Sequence, residues 1–165
     1  MSDVAVQVAG AERVADLRSL YLALLEHDRV HSPVPMNEPG ERAWLARRAT
    51  YLQAFSEDRA VLLVAERDRA LVGYALVLVH AANDDTFALA PAFAELYSLS
   101  VAPAARGVGI GSRLMDAVDE VIAARSLRAL TVAVTVGNEH ALRFYRRRGL
   151  VPTELQLYRL STSHD

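Results

Sequence analysis

The sequence contains neither cysteine nor lysine in its 165 residues. Without cysteine there are no disulfides, no thiol nucleophile and no thiolate metal ligand. Without lysine there is no Walker-type loop, whose lysine reaches the phosphates, and no lysine Schiff base. All 18 basic side chains are arginine, a bias that accompanies the richness in alanine and valine and assigns no function by itself. Long apolar runs are also missing, and the opening Met1-Ser2-Asp3-Val4 lacks the basic start of a secretory signal. A formal charge of -2 and a pI near 6.2 give no global attraction to nucleic acid or to an anionic membrane. These absences leave a soluble, cytoplasmic protein with no nucleic-acid and no membrane partner as the expectation.

What is present has an ordinary globular composition, 52% hydrophobic and 23% charged. The chain is long enough for one domain over residues 1–165, burying roughly 70% of its unfolded surface. Residues 4–8 read as a first strand. Val14, Leu17, Tyr21, Leu24 and Leu25 recur at helical spacing over residues 12–25, and Pro33 and Pro35 end that pattern. A second helix is predicted over 41–55. Residues 61–65 and 71–79 are apolar and β-rich on either side of Arg67-Asp68-Arg69, the mark of a hairpin. Asn83-Asp84-Asp85 reads as a loop and residues 93–101 as another strand. Leu114, Met115, Val118, Val121 and Ile122 draw one apolar face of a helix ending near Arg125. Residues 130–136 read as a buried strand, 139–148 as a short helix stopped by Gly149, and 155–160 as a last alternating strand. The order β-α-α-β-β-β-α-β-α-β implies an α+β domain with a mixed sheet.

Between the strand at 93–101 and the next helix lies Arg106-Gly107-Val108-Gly109-Ile110-Gly111-Ser112. Glycine at alternate positions can serve either of two needs. One is a strand-to-helix turn that requires positive φ. The other is a close approach of phosphate oxygens to bare backbone N–H groups at the positive end of a helix. A Rossmann-type dinucleotide site fits poorly, because the spacing is G-x-G-x-G instead of G-x-G-x-x-G. About twenty residues on, Thr131-Val132-Ala133 also offers no acid for a ribose. His27-Asp28-x-x-His31 has the spacing of a metal pair on a helix, but beside Pro33 it reads as a solvated loop.

Arg106, Gly109 and Gly111 stand at the positions of the pattern Q/R-x-x-G-x-G/A, and Asn138, Ala141, Phe144, Tyr145 and Gly149 form a second block one strand further on. Together these blocks resemble the acetyl-CoA signature of the GNAT superfamily of N-acetyltransferases, whose element order matches essentially the whole chain. The resemblance implies a GNAT-like fold: a central mixed, largely antiparallel sheet, splayed at the cofactor site and flanked by helices. It implies acetyl-CoA as cosubstrate, no metal, and acetyl transfer to a primary amine of a small molecule, peptide or protein. With no cysteine to form a covalent intermediate, the amine would attack directly in a ternary complex. The alternative is a CoA- or acyl-CoA-binding sensor module without turnover. The resemblance is also compatible with a homodimer.

The resemblance further assigns roles to residues. Backbone N–H groups across Arg106, Gly107, Val108, Gly109, Gly111 and Ser112 would hold the pyrophosphate. Leu99 and Val101 lie on the strand whose freed backbone would bond the pantetheine arm, while their side chains pack in the core. Asn138 would cap the following helix and contact the same arm. Tyr145 is the candidate general acid for the leaving thiolate; as a phenol of ordinary pKa, about 10, it would add a basic limb to the pH–rate profile. Glu95 is the candidate base. It lies eleven residues before Arg106, similar in spacing to the catalytic glutamate of the histone-acetylating branch. Many other members carry a carboxylate two residues later, where this chain has Tyr97, and a bulge would change which side chains face the cleft. By family position the segment from His27 to Glu41 borders the acceptor cleft, so His27, His31, Glu38 and Glu41 are candidates to select a cationic amine.

Overall fold

The computed structural model describes residues 3–82 and 86–161, so the loop predicted at 83–85 lies outside the described residues. Strands β1 (Ala5–Ala9), β2 (Ala60–Arg67), β3 (Ala70–Ala81), β4 (Ala92–Val101) and β5 (Leu130–Val132) form one sheet in chain order. The first four pair antiparallel, and β5 joins β4 in parallel. A parallel pair needs a crossover, which α3 (Ile110–Ala124) supplies. A 3-10 helix (Ala11–Leu17), α1 (Arg18–His31) and α2 (Glu41–Ser56) cover one face; α3 and α4 (Glu139–Arg147) cover the other. This is the expected α+β architecture with a mixed sheet.

Burial on both faces explains why β2 and β3 are nearly continuous apolar runs. Leu62, Val64, Tyr74 and Leu76 point into the core under α1 and α2, while Val61, Leu63, Ala75 and Val77 point into the core under α3. The hairpin joining these strands turns at Asp68 and Arg69, with φ of 52 and 67, the paired positive values of a type I′ turn.

Three elements differ from expectation. The first helix begins as a 3-10 segment and runs on to His31, because Pro33 restricts only Ser32, which is extended. His27, Asp28 and His31 therefore lie on a helix and not in a loop. β5 stops at Val132, so residues 133–136 leave the sheet. Residues 151–161 form no strand, and Leu155, Leu157 and Leu160 are exposed. Alternation makes a strand only where an edge is available to bond it and a face to bury it, and β5 is an edge only three residues long.

β3 and β4 carry one irregularity: Leu76 faces Ser98 but Val77 faces Leu96, which leaves Tyr97 as an extra residue. The bulge inverts β4. Ala94 and Leu96 before it, and Leu99 and Val101 after it, all face the α3 side. Ser98 and Ser100 are thereby turned toward α1 and α2, which they fasten. Ser100 Oγ donates to the Leu20 carbonyl at 2.8 Å, and Ser98 Oγ lies 2.6 Å from the Tyr51 hydroxyl, itself 3.0 Å from the Tyr74 hydroxyl.

Burial holds the Tyr51 phenol above its ordinary pKa and the Tyr74 phenol further above it, so the network stays protonated throughout the neutral range. Tyr51→Phe should leave two buried hydroxyls short of a partner and lower stability by about 1–3 kcal/mol. Urea denaturation should give the same loss at mildly acidic and mildly alkaline pH.

Candidate active site

β4 and β5 share three rungs, Ala94–Leu130, Glu95–Thr131 and Leu96–Val132, and part where the bulge begins. Beyond that point a cleft of about 410 Å3 opens between residues 98–101 of β4 and residues 132–135. The start of α3 and its preceding loop line one end. Ala141, Phe144 and Tyr145 of α4 and Leu24, His27 and Asp28 of α1 line the rest. The splay inferred from resemblance is present.

Gly107 and Gly109 have φ of +79 and +86, and a Cβ on either would meet nothing within 4 Å. The turn therefore requires positive φ, and the space beside its bare backbone is open. Gly109 is the N-cap of α3, where no side chain bonds the first N–H groups. Those donors and the positive helix end lie along the cleft. Gly111 differs, since a Cβ there would make ordinary contact with Phe144 at 3.7 Å.

Leu99, Val101, Arg106, Gly107, Gly109, Gly111, Ser112, Asn138 and Tyr145 all line this one cleft. Val108 lies in the same loop with its side chain exposed. Arg106 Nε donates to the Val101 carbonyl at 3.1 Å, joining the loop to the free end of β4. Asn138 Oδ1 accepts from the Ala141 N–H at 3.0 Å, the capping bond read from sequence. Beside it Gly137 passes so close to α1 that a Cβ would collide with the His31 carbonyl. Glycine is required there for close approach, and it docks α1 against the turn before α4.

The Tyr145 ring is buried, with Phe144 edge-on at 5.2 Å. Its hydroxyl bonds no described side chain and is not sealed off, so it opens into the cleft. Burial first, then the charge of Asp28, pushes this phenol far above its ordinary pKa. This phenol therefore keeps its proton beyond the range where an unperturbed one ionises. Glu95 stands on the paired part of β4, outside the cleft lining, and lies 2.7 Å from His80 Nε2. The His80 ring stacks on Phe93.

Sequence reasoning missed Asp28 as a cleft residue. Burial raises its carboxyl above the usual range, opposed by His27, His31 and Arg47. The available signal was spacing: Leu24, His27, Asp28 and His31 fall at i, i+3, i+4 and i+7, one face of α1. Burial, followed by the charges of His31 and Arg106, lowers the His27 pKa, so its ring is uncharged at neutral pH. The two imidazoles lie 4.5 Å apart, and His31 Nδ1 donates to the His27 carbonyl at 2.6 Å. Among the described residues no three potential ligands converge to hold a metal ion. Glu41 pairs with Arg18 at 3.1 Å on the surface and does not line the cleft.

A sequence model of the acetyltransferase (GNAT) family matches residues 18–150. The chain is 28% identical to a mycothiol acetyltransferase of Streptomyces griseus over 177 aligned positions, covering 92% of this chain and 55% of that protein. It is 34% identical to a mycothiol acetyltransferase of Acidimicrobium ferrooxidans over 94 positions, 57% of this chain and 29% of that one. The chain thus spans about half the length, or less, of these curated relatives. Among solved structures, aminoglycoside N-acetyltransferase AAC(6')-Iy in complex with CoA superposes with a TM-score of 0.73 at 19% identity, covering 98% of this chain and 96% of that one. A GCN5-related N-acetyltransferase from Ralstonia eutropha gives 0.76 at 16% identity, covering 96% and 99%. At these identities the structural likeness is one of fold. With both motifs aligned on one splayed cleft and the family match running from α1 past α4, the chain belongs to the acetyltransferase (GNAT) family.

Proposed function

We propose that the chain, acting as one domain, transfers an acetyl group from acetyl-CoA to the primary amine of a small molecule by direct attack. The observation that carries this reading is the convergence of open glycine backbone, splayed strand and Tyr145 hydroxyl in one cleft. The relatives named above support it, since two are mycothiol acetyltransferases and one solved neighbour holds CoA. When bound, acetyl-CoA would supply the thioester acyl group and a thiol leaving group.

The chain's own residues divide the remaining work. N–H groups from Gly107 to Ser112, including that of Val108, would hold the pyrophosphate at the α3 terminus, while the Arg106 N–H is turned to the Pro103 carbonyl at 3.4 Å. The backbone edge of Leu99 and Val101 that β5 leaves free, with Asn138 opposite, would bond the pantetheine arm. Tyr145, held protonated by burial, keeps a hydrogen-bond donor in the cleft. A protonated amine must lose a proton before it attacks. Asp28 lines the same cleft and its raised pKa brings it nearer to neutrality, so we assign it that proton. Glu95, hydrogen-bonded to His80, is the second candidate.

Incubating the chain with acetyl-CoA and a panel of small-molecule and peptide amines should release free thiol with at least one acceptor. Binding of CoA with no release from any amine would leave only the sensor reading. Gly109→Val should weaken CoA binding by at least ~2 kcal/mol, comparable to losing charge-assisted hydrogen bonds. Gly111→Ala should cost under about 0.5 kcal/mol, because the methyl finds ordinary contact; calorimetry on both folded variants measures the contrast.

Tyr145→Phe keeps the packed ring, so stability should change by about 1 kcal/mol or less. Its kcat should fall at least ~10-fold with acetyl-CoA affinity unchanged. No basic limb in the wild-type profile should trace to Tyr145, since its proton is retained above the ordinary phenol range.

Asp28→Asn should lower kcat by roughly 10²–10⁴ and abolish the acidic limb of the pH–rate profile. The carboxylate must be ionised to accept a proton, and its pKa is raised, so that limb should lie above the usual aspartate range. Glu95→Gln should keep the limb; its loss in that variant instead would transfer the role to Glu95.

A further inference from the structure

A second pocket of about 440 Å3 lies between α1, α2 and β4, lined by Tyr21, Leu25, Met36, Ala43, Arg47 and Tyr97 among others. Tyr97, the bulged residue, lines this pocket and the main cleft alike. The guanidinium carbon of Arg47 stands 4.7 Å from the centroid of the Tyr97 ring, 5.0 Å from that of Tyr21 and 5.8 Å from that of Tyr51. Three aromatic faces hold the cation. A guanidinium also carries five N–H donors in a planar fork, and aromatic faces alone do not saturate them.

No carboxylate among the described residues forms an ion pair with Arg47. The helices around it spend their surface carboxylates elsewhere: Glu41 on Arg18 and Glu26 on Arg29. Asp28 feels Arg47 only as the weakest of its influences and faces the other cleft. The Tyr21 hydroxyl takes up one donor of this half-buried guanidinium, and with no ion-paired carboxylate its remaining donors and charge are compensated further when an anion arrives.

Building on the acetyl-transfer reading, we propose that this pocket binds the carboxylate of the acceptor, with Arg47 as its partner, while the acceptor's amine extends past Tyr97 into the main cleft. A carboxylate fits because it is planar, carries one charge and accepts two parallel bonds from one guanidinium. A phosphate dianion would bring more charge than a single arginine balances. Leu25, Met36 and Ala43 supply apolar wall for hydrocarbon between the two ends. The acceptor class is therefore an amino acid or a close relative, with amine and carboxylate separated by a short apolar spacer.

The test uses ω-amino carboxylates of increasing chain length and the matching ω-amino carboxamides, with acetyl-CoA and, separately, without it. At one length the wild-type chain should acetylate the carboxylate at least ~10-fold more efficiently in kcat/KM than the carboxamide, mainly through KM. Arg47→Gln should bring the pair within about twofold, and Arg47→Lys, which keeps charge but loses the fork, should fall between. Equal efficiency for acid and amide at every length in the wild type would overturn the proposal, whatever the variants do. So would a preference that survives in folded Arg47→Gln. Calorimetry without acetyl-CoA separates the two readings. Carboxylate binding that needs Arg47, with no turnover of any amine, would sustain the pocket and overturn acetyl transfer. Turnover without any carboxylate preference would do the reverse.

Discussion

One extra residue in β4 governs both faces of the sheet. Tyr97 has no partner of its own across β3, and from that point the side-chain parity of β4 is reversed. Ser98 and Ser100 then face α1 and α2 instead of α3, which explains why two serines are buried there with hydrogen-bond partners. Pairing with β5 ends at the same place. The increased local twist of a bulge carries the two strands apart, and the cleft is the space between them.

The bulge also sets the relation between the two pockets. Tyr97 stands on their shared wall and contributes its ring to the aromatic setting of Arg47. Bonding through Ser100 to Leu20, and the close pass of Gly137 under His31, hold α1 as the other part of that wall. Asp28 is thus carried on an element fixed at both ends. A side chain positioned this way is restricted before any ligand arrives, which is the condition for specific proton chemistry.

Electrostatics in the main cleft follow from burial more than from pairing. Burial is the largest influence on Asp28, His27 and Tyr145 alike, and each is shifted toward its uncharged form. The glycine end is the opposite, with unpaired N–H groups and a helix terminus that attract negative charge. One cleft therefore joins a donor-rich end suited to phosphate with an end where the protonation of a carboxyl and a phenol is tuned by loss of water. Arg47, outside it, keeps its charge among tyrosine rings.

Much of the fold was legible because its signals are local. The Asp68–Arg69 turn, the periodicity of α3, the Asn138 cap and the Gly149 stop each depend on residues a few positions apart. The glycine loop was legible for the same reason, since positive φ is a demand made by one residue on itself. Other features depend on partners distant in sequence. Alternation at 155–160 predicted a strand, yet strand formation needs an edge, and β5 is too short to offer one there. Pro33 predicts a loop at His27 and Asp28, while the helix reaches His31 and turns them into the cleft. Glu95 and Asp28 could not be ranked from spacing, because the face a β4 residue presents depends on the bulge opposite β3. The sequence by itself determined the order of elements as far as α4, the family and the glycine turn before α3, all written in short-range patterns. Only the tertiary structure decided which carboxylate enters the cleft and that Arg47 stands among three rings with no ion-paired carboxylate among the described residues, because register and burial are properties of the assembled sheet and helices.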